Sequence, residues 1–304
     1  MLYMNNKNQE IIDANYEIQK YIELGANDDL ILDHLESAIG LKLPKRVGGI
    51  LSLNGLKSAE GLILPDEVGS FISLDGLTSA KGLSLPIEVY DGVYLGGLTS
   101  GVGLELPSSG PDLYINGLEN AEGLIFPDGY TGNITLEKLT NPITLNLPES
   151  FEGNISLNGL ISAKGLRLPK ATGIHYDICL NSLISAEGLI LPEEVDTISL
   201  YANSLLSAEA LIITENVVTL ELNGLISADG LHLPSELIHL RLDGLSSAAG
   251  LSLPAEIFEI SLNGLTNATS LIIPDAACNI YLNSLPSGEK EALRKRHPHI
   301  ADRI

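Results

Sequence analysis

The sequence predicts a right-handed β-solenoid, in which the chain winds into about twelve short coils that lie one upon the next. Three observations lead to this fold. The phrase Gly-Leu-x-Ser-Ala-x-Gly-Leu-x-Leu-Pro returns about every 21 residues. A short run of alternating aliphatic residues follows each copy, and aromatic residues make up only 5% of the chain, so the core must be aliphatic. Stacked repeats bury together a core that no single repeat could bury alone.

The repeat array occupies residues 34–283, and a different segment flanks it at each end. Residues 1–33 carry apolar positions at helical spacing on both sides of a polar break, which predicts an N-terminal cap of two amphipathic helices. Residues 284–304 predict a C-terminal cap helix that begins with Ser287 as its N-cap and ends at Pro298. Such caps close the two open ends of a solenoid.

Each column of the repeat has a physical interpretation. Pairs such as Ile198-x-Leu200 have a period of two, which is typical of a short strand with both aliphatic side chains facing inward. An Asn follows most strands, and we expect these residues to form a ladder that bonds to the backbone of neighbouring coils. The next residue is mostly Gly, and Asn-Gly readily adopts a positive φ at a sharp corner. The Leu-x-Leu segment should be extended until Pro ends its pairing.

Composition and charge narrow the possible functions. The chain has 39 Asp and Glu against 17 Lys and Arg, for a net charge of −22. Nucleic acids and anionic membranes are not expected partners, because both require clustered Lys and Arg. No long apolar run or Sec-type signal peptide is evident, so we expect no membrane insertion. We also expect the protein to be a monomer. The expected location is the cytoplasm, or a host cell that receives the protein as an effector.

One unit carries a motif that links the chain to a known family. Residues 195–205 fit the template L-x-x-L-x-L-x-x-N-x-L, with its fixed positions at Val195, Ile198, Leu200, Asn203 and Leu205. The array resembles bacterial leucine-rich repeats of the short effector type, whose Leu-Pro signature its Leu-x-Leu-Pro phrase matches over roughly residues 34–297. The resemblance implies a protein-binding scaffold. Most units are shorter at the Asn corner, so a flatter solenoid like a parallel β-helix is the alternative.

The sequence contains no motif for catalysis or cofactor binding. Walker A, G-x-S-x-G and H-E-x-x-H phrases are absent, and the glycines recur with the repeat as corners would. His232 and His239 share a unit but lack nearby Cys or patterned carboxylates, so they predict no metal site. Cys179 and Cys278 lie on distant coils and are expected to remain thiols. We therefore predict a non-enzymatic protein without cofactor or metal.

The middle residue of each strand should face outward, and the column of these residues is the predicted partner-binding surface. Ser and Thr dominate the column, and its other members include Tyr94, Tyr114 and Arg241, with Ser199 assigned to the eighth unit. Tyr90 lies just upstream, so we expect three phenols to cluster. Tyr is favoured in interfaces because it offers a large contact area on few rotatable bonds.

Two units are one or two residues longer than their neighbours, and we expect the additional residues to form loops. Variable loops on a constant scaffold often carry function. The sequence thus predicts a second recognition patch at His175, Tyr176 and Tyr201. The predicted function is a protein–protein interaction scaffold, possessing no enzymatic activity, in an effector or adaptor. The alternative is a structural or self-associating repeat protein without a specific partner.

Overall fold

The computed structural model describes residues 2–107 and 109–304, with the side chains of 2–7 and 171 left aside. The chain forms two compact units. The first comprises residues up to 139 together with 144–154, and the second comprises 140–143 and 155–304. Both are built from short parallel strands that recur about every 21 residues, in about twelve turns. The predicted fold class, a β-solenoid, is confirmed.

The first unit contains one helix and twelve short strands among its described residues. In chain order these are α1 (Leu2–Glu23), β1 (Leu30–Ile31), β2 (Arg46–Val47), β3 (Leu51–Ser52), β4 (Glu67–Val68), β5 (Phe71–Ser73), β6 (Leu83–Ser84), β7 (Glu88–Val89), β8 (Gly92–Tyr94), β9 (Leu104–Glu105), β10 (Leu113–Tyr114), β11 (Ile134–Thr135) and β12 (Ser150–Phe151). Its main sheet has the order β1-β3-β5-β8-β10-β11, and β2-β4-β7 and β6-β9 form smaller sheets.

The second unit has longer strands and the C-terminal helices. In chain order these are β13 (Ile155–Ser156), β14 (Lys170–Ala171), β15 (His175–Cys179), β16 (Thr197–Tyr201), β17 (Val217–Glu221), β18 (Glu236–Arg241), β19 (Glu256–Ser261), β20 (Asn279–Tyr281), α2 (Ser287–Arg296) and a 3-10 segment, Pro298–Arg303. Its main sheet has the order β13-β15-β16-β17-β18-β19-β20. A short 3-10 turn, Pro142–Thr144, lies where the chain passes between the two units.

The core lies between the strand segment and the Leu-x-Leu segment of every coil, and it is aliphatic as predicted. Ile72 and Leu74 are fully buried in the first unit, and Leu240 and Leu242 are fully buried in the second. Burial of one such side chain contributes about 1.5–3 kcal/mol, so the repeated inward pairs supply most of the driving force for folding. The middle residues between them face away from this core.

The predicted asparagine ladder is present in both units. In the second unit, Asn158 Oδ1 accepts the backbone N–H of Asn181 at 3.0 Å. The same contact continues coil by coil to the N–H of Asn283. In the first unit, a ladder begins at Asp33 and reaches the N–H of Gly96. Because Gly96 has no side chain, it cannot pass the ladder on to the next coil.

The expected role of the corner glycines is wrong. Positive φ occurs at the other glycine column, for example +80° at Gly82, where the chain turns into the Leu-x-Leu segment. The glycine after the ladder is needed for a different reason. A Cβ at Gly76 would lie 1.8 Å from the carbonyl oxygen of Asn54 on the preceding coil. The absence of a side chain there permits the close stacking of successive corners.

The caps also differ from the prediction. The N-terminal cap has one helix, α1, because Leu30–Ile31 forms the first strand of the main sheet rather than a second helix. The N–H of Leu30 donates to the carbonyl of Ile50 at 2.7 Å, so pairing with the next coil outweighs local helical spacing. Helix α2 is preceded by Pro286 and has no side-chain cap, so the predicted Ser287 cap is wrong. The opposite end of α2 is attached to the last coil, because the Arg296 guanidinium donates to the carbonyls of Thr269 and Leu271.

Candidate interaction face

The outward side chains of the main sheet form the candidate site, and we call this surface the outer face. Each coil contributes three outer-face positions: the residue before the first inward aliphatic, the middle residue and the ladder residue. Side chains at equivalent positions lie side by side, because the strands pair in parallel; the register shifts at Ile198/Ser199, between β16 and β17, before the middle position of that coil. In the first unit the middle column runs through Ile31, Ser52, Ser73, Tyr94, Tyr114 and Thr135.

In the second unit the register corrects the predicted column at one coil. Tyr201 pairs with Cys179 on one side and Glu221 on the other, so Tyr201 is the middle residue there. Ser199 lies one outward position upstream, beside Asp177, and is almost fully buried. The middle column of this unit is Ser156, Cys179, Tyr201, Glu221, Arg241, Ser261 and Tyr281.

An aromatic cluster interrupts the small side chains of the first unit's outer face. The rings of Tyr94 and Tyr114 stack with centroids 4.4 Å apart and planes 6° apart. Phe71 meets Tyr94 edge to face at 5.2 Å. All three side chains are half-buried. The third member is therefore Phe71 and not Tyr90, which is 85% exposed and lies beside Val68 and Val89 along a shallow groove.

Carboxylates surround the aromatic cluster. Burial raises the pKa of the Tyr114 phenol, and the negative charges of Asp112 and Asp91 raise it further. Asp112 is held in place because it accepts the backbone N–H and the side-chain amide of Asn133, both at 2.8 Å. Asp91 accepts the Ser70 hydroxyl at 2.7 Å. Within the part of the chain that the structure describes, neither carboxylate forms an ion pair with a cationic side chain, so the cluster lies in a negative environment.

A polar group built on His175 occupies the outer face of the second unit. Its Nδ1 lies 2.7 Å from Thr197 Oγ1, and its Nε2 lies 3.0 Å from both Asp177 Oδ1 and Ser199 Oγ. The residue types are those of a serine hydrolase triad, but the arrangement differs. A triad places Ser and Asp on opposite nitrogens of the imidazole, whereas here they share one. The group thus fixes the imidazole on the sheet and provides no activated nucleophile.

The structure changes the make-up of the predicted second recognition patch, whose role in recognition stays a prediction. The strands β15 and β16 have five residues each, as does β17 in a shorter unit, and bends at 173–174 and 193–196 precede them, in agreement with the expected loops. Alternation along β15 turns Tyr176 inward, where it is fully buried and its phenol pKa is raised by desolvation. Tyr176 therefore cannot contact a partner. His175 and Tyr201 do lie on the outer face, at opposite ends of the paired strands.

Arg241 lies between carboxylates of the two neighbouring coils. Its guanidinium Nε is 3.5 Å from Glu221 Oε1, and its Nη2 is 3.9 Å from Glu259 Oε1. His239 Nδ1 is 3.7 Å from the same oxygen of Glu259. The Arg241 side chain is 48% exposed, so it remains accessible to a partner while its charge is largely offset.

Metal-binding and thiol chemistry contribute little to the site. Among the described residues, no group of three or more His, Cys, Asp or Glu has a geometry that could hold a metal ion. Cys179 and Cys278 form no disulfide, as predicted. The position of Cys179 in the outward column also predicts that it is the more accessible thiol, and this is wrong, because Cys278 is exposed and Cys179 is half-buried. None of the helices in the described ranges combines the length and the apolar character needed to cross a bilayer.

Sequence reasoning missed an exposed aliphatic stripe in the second unit. Its members, between 51% and 71% exposed, are Ile161, Ile184, Leu206 and Ile226. The N–H of Ile184 donates to the carbonyl of Ile161 at 3.3 Å, which shows that these residues stack on adjacent coils. The signal was present in the sequence, since the third position of the repeat phrase is aliphatic in four consecutive units and Lys, Thr, Glu or Ser elsewhere.

Comparison with known proteins adds no relative: no family model, no curated protein and no solved structure matches this chain. The resemblance to short bacterial leucine-rich repeats therefore stays a prediction.

Proposed function

We propose that this protein is a non-enzymatic scaffold that binds a protein partner through the outer face of its main sheet. The observation that carries the proposal is the aromatic cluster of Phe71, Tyr94 and Tyr114. These rings are half-buried among one another on the outer face and contribute nothing to the aliphatic core. Ser or Thr occupies most of the other middle positions of the first unit, so the strand at these positions does not require an aromatic side chain.

The inward and outward columns differ in how much their residues vary from coil to coil. Inward positions are almost uniformly Leu, Ile, Val or Ala, because every coil must fill the same core. Outward positions vary in size, charge and aromatic character from coil to coil. Large aromatic rings held in a fixed orientation lose little conformational freedom on binding, and such residues dominate binding energies in protein interfaces. The resemblance to leucine-rich repeats supports the same proposal.

Quantitative affinity capture from lysates of the source cells tests the proposal. The bait proteins are the wild type, Tyr94→Ser/Tyr114→Ser and the control Ile63→Ser/Ile125→Ser. The first variant restores the residue found at Ser52 and Ser73, so the fold should persist. The control also replaces two large side chains by Ser, at 79% and 70% exposed positions outside the outer face.

We expect at least one protein to be enriched by the wild type and by the control, and to be lost with the Tyr94→Ser/Tyr114→Ser variant. Circular dichroism of all three baits checks that the fold is unchanged. Equal capture by both variants, or capture of nothing beyond background by the wild type, would contradict the proposal.

Self-association is a second candidate function, and the aliphatic stripe is the observation that favours it. Exposed aliphatic side chains on four adjacent coils form a continuous apolar surface, and surfaces of this kind often mark contacts between protein chains. Sedimentation velocity over a hundredfold concentration range provides the test. A mass that rises with concentration in the wild type and stays monomeric in Ile184→Ser/Leu206→Ser would support it. A monomer at every concentration would exclude it.

A further inference from the structure

We infer that the outer face of the first unit takes a cationic segment of its partner, an extended stretch of chain rich in Arg or Lys. This inference rests on the proposed function and specifies the chemistry of the partner. It follows from the charge on this face, from the state of its carboxylates and from the geometry around Tyr114.

Among the residues that the structure describes, the outer face of the first unit carries five carboxylates and no cation. The acidic positions are Asp29, Asp33, Asp75, Asp112 and Glu137. In these described coils, no Lys or Arg occupies an outer-face position between the coil of Asp29 and that of Glu137. Coils of parallel strands lie about 4.8 Å apart, so the ladder residues Asp33 and Asp75, two coils apart, are separated by about 10 Å, which is comparable with the Debye length of about 8 Å at physiological ionic strength. Because all the charges on this face are negative, a cationic partner is attracted to it.

The carboxylates are held rigid by the fold. Asp33 Oδ1 accepts the N–H of Asn54 at 2.8 Å, and Asp75 Oδ1 accepts the N–H of Gly96 at 2.6 Å. These bonds fix the orientation of each carboxylate without removing its charge. A cation that approaches meets oriented acceptors, so it need not order them at an entropic cost.

Tyr114 offers an aromatic surface next to this charge. One face of its ring is stacked on Tyr94, and the neighbour on the following coil is Thr135, whose side chain is too short to cover a phenol ring. The Asp112 carboxylate is close enough to raise the pKa of the Tyr114 phenol. A guanidinium lying over the ring can interact with the π face and pair with the carboxylate at the same time. A Lys ammonium group can also lie over the ring and pair with the carboxylate, but it lacks the planar surface with which a guanidinium stacks on the ring.

The dimensions favour an extended segment over a single side chain. Five coil spacings separate Asp29 from Glu137, which is about 24 Å along the stack. An extended chain covers about 3.4 Å per residue, so about seven residues span this distance. With side chains alternating, three or four cations of such a segment could face the sheet together.

The second unit shares this preference less. Its outer face carries the carboxylates of Asp177, Glu221, Asp243 and Glu259, and Arg241 lies between two of them. Opposite charges there partly compensate one another across adjacent strands. An aromatic cluster beside carboxylates, with no cation among the described outer-face positions of its unit, belongs to the first unit.

Titration with labelled peptides tests the inference on the full-length chain. The probes are fluorescein-labelled peptides of about twelve residues with alternating Arg-Ser, Lys-Ser, Glu-Ser or Gly-Ser sequences, and fluorescence anisotropy reports binding. The variants are Tyr94→Ser/Tyr114→Ser and Asp112→Asn. The matched control is Asp128→Asn, since Asp128 also accepts a backbone N–H of the next coil but is not an outer-face residue. Each Asn variant removes one charge and keeps the oxygen that accepts the backbone N–H, while Asp112→Asn also gives up the second oxygen, which accepts the Asn133 side-chain amide.

We expect the Arg-Ser peptide to bind most tightly, followed by Lys-Ser, with no measurable binding of Glu-Ser. The Tyr double variant should weaken the Arg-Ser complex about tenfold, and Asp112→Asn about threefold to tenfold, whereas Asp128→Asn should leave it unchanged. Binding should also weaken as the ionic strength is raised.

Two results would overturn the inference. Equal losses in Asp112→Asn and Asp128→Asn would show general attraction to an acidic protein, and equal binding of Gly-Ser and Arg-Ser would show that charge is not recognised. The proposed function can fail separately. If captured proteins depend on Tyr94 and Tyr114 but no basic peptide binds, only the cationic preference is wrong. If neither depends on them, both proposals are wrong.

Discussion

The two units of this chain build the same kind of coil with different strands. In the first unit, a coil reaches the core through two short strands, for example β4 (Glu67–Val68) and β5 (Phe71–Ser73), which belong to different sheets. In the second unit, the equivalent segment is one continuous strand, such as β18 (Glu236–Arg241). The inward aliphatic residues are equivalent in both.

A few residues account for the difference. In the first unit, Gly69 and Ser70 separate the two strands, and a Cβ at Gly69 would lie 2.2 Å from the carbonyl oxygen of Gly48. In the second unit a single residue, Ile238, occupies this place, and the repeat there is 20 residues long instead of 21. A bend at glycine uses one more residue than a straight strand. The segment after Pro therefore decides whether a coil bends or runs straight.

The largest expected effect comes from exchanging the residues at this bend. Gly69→Val should destabilise the first unit by about 3 kcal/mol or more, because the new side chain overlaps the backbone of the preceding coil. The reciprocal change, Ile238→Gly, should cost only about 1 kcal/mol, since Ile238 is 48% exposed and only strand propensity is lost. Urea unfolding measures both. Equal losses would mean that the close approach at Gly69 does not maintain the bend.

The next effect concerns the ladder, which is continuous from Asn158 to Asn283 in the second unit, whereas in the first it is interrupted at Gly96 and resumes at Asn116. Asn223→Ala should destabilise the protein by about 1–3 kcal/mol, because the part-buried N–H of Asp243 loses its acceptor. Asn223→Asp is the matched control, since Asp243 performs the same role one coil later. It should retain most of the stability. Chemical denaturation compares the three proteins, and a similar loss for Ala and Asp would contradict the ladder's role.

Tyr130 in the first unit and Tyr176 in the second are both buried, and they should respond differently to substitution. Burial raises the pKa of both Tyr130 and Tyr176 above the ordinary value of about 10. The neutral phenol is therefore favoured in the fold, so stability is fully present below pH 10 and is lost as the pH rises toward the folded pKa.

Tyr176→Phe should remove part of this alkaline sensitivity, as measured by thermal unfolding between pH 8 and about pH 11. Tyr130→Phe should do the same but should also lose about 1 kcal/mol near neutral pH, because the Tyr130 hydroxyl donates to the carbonyl of Pro111. Tyr90→Phe, at an exposed position, is the control and should change neither property. An unchanged pH profile in both buried variants would show that these phenols do not govern alkaline stability.

The smallest effect is expected for the surface ion pairs. Arg46 in the first unit lies 2.9 Å from one carboxylate, that of Glu67, whereas Arg241 lies at 3.5 and 3.9 Å from two. Both side chains are about half exposed, so each Arg→Gln change should cost no more than about 1 kcal/mol, and less at high salt. We expect the larger loss at Arg241, since its removal leaves Glu221 and Glu259 facing an uncharged side chain. Unfolding at two salt concentrations measures the difference, and a loss that salt does not reduce would rule out a charge effect.

The outer face shows what could be predicted and what could not. The middle column was correct in the first unit because the coil spacing there varies by only one residue, between 20 and 21. At Tyr201 it was wrong, since two longer units allow several alignments and only pairing with Cys179 and Glu221 selects one of them. Phe71 was missed because it precedes the alternating pair, and its contact with Tyr94 depends on the next coil.

The sequence by itself determined the repeat, the inward aliphatic columns and the ladder, because each is a local pattern that recurs with every coil. Only the tertiary structure decided that Leu30–Ile31 is a strand, that Tyr176 is buried and that Tyr201 pairs with Cys179 and Glu221. These features depend on hydrogen bonds and contacts between residues about twenty positions apart. A neighbouring coil can override the local preference of a two-residue or five-residue segment, since pairing and burial outweigh intrinsic propensity over so short a length.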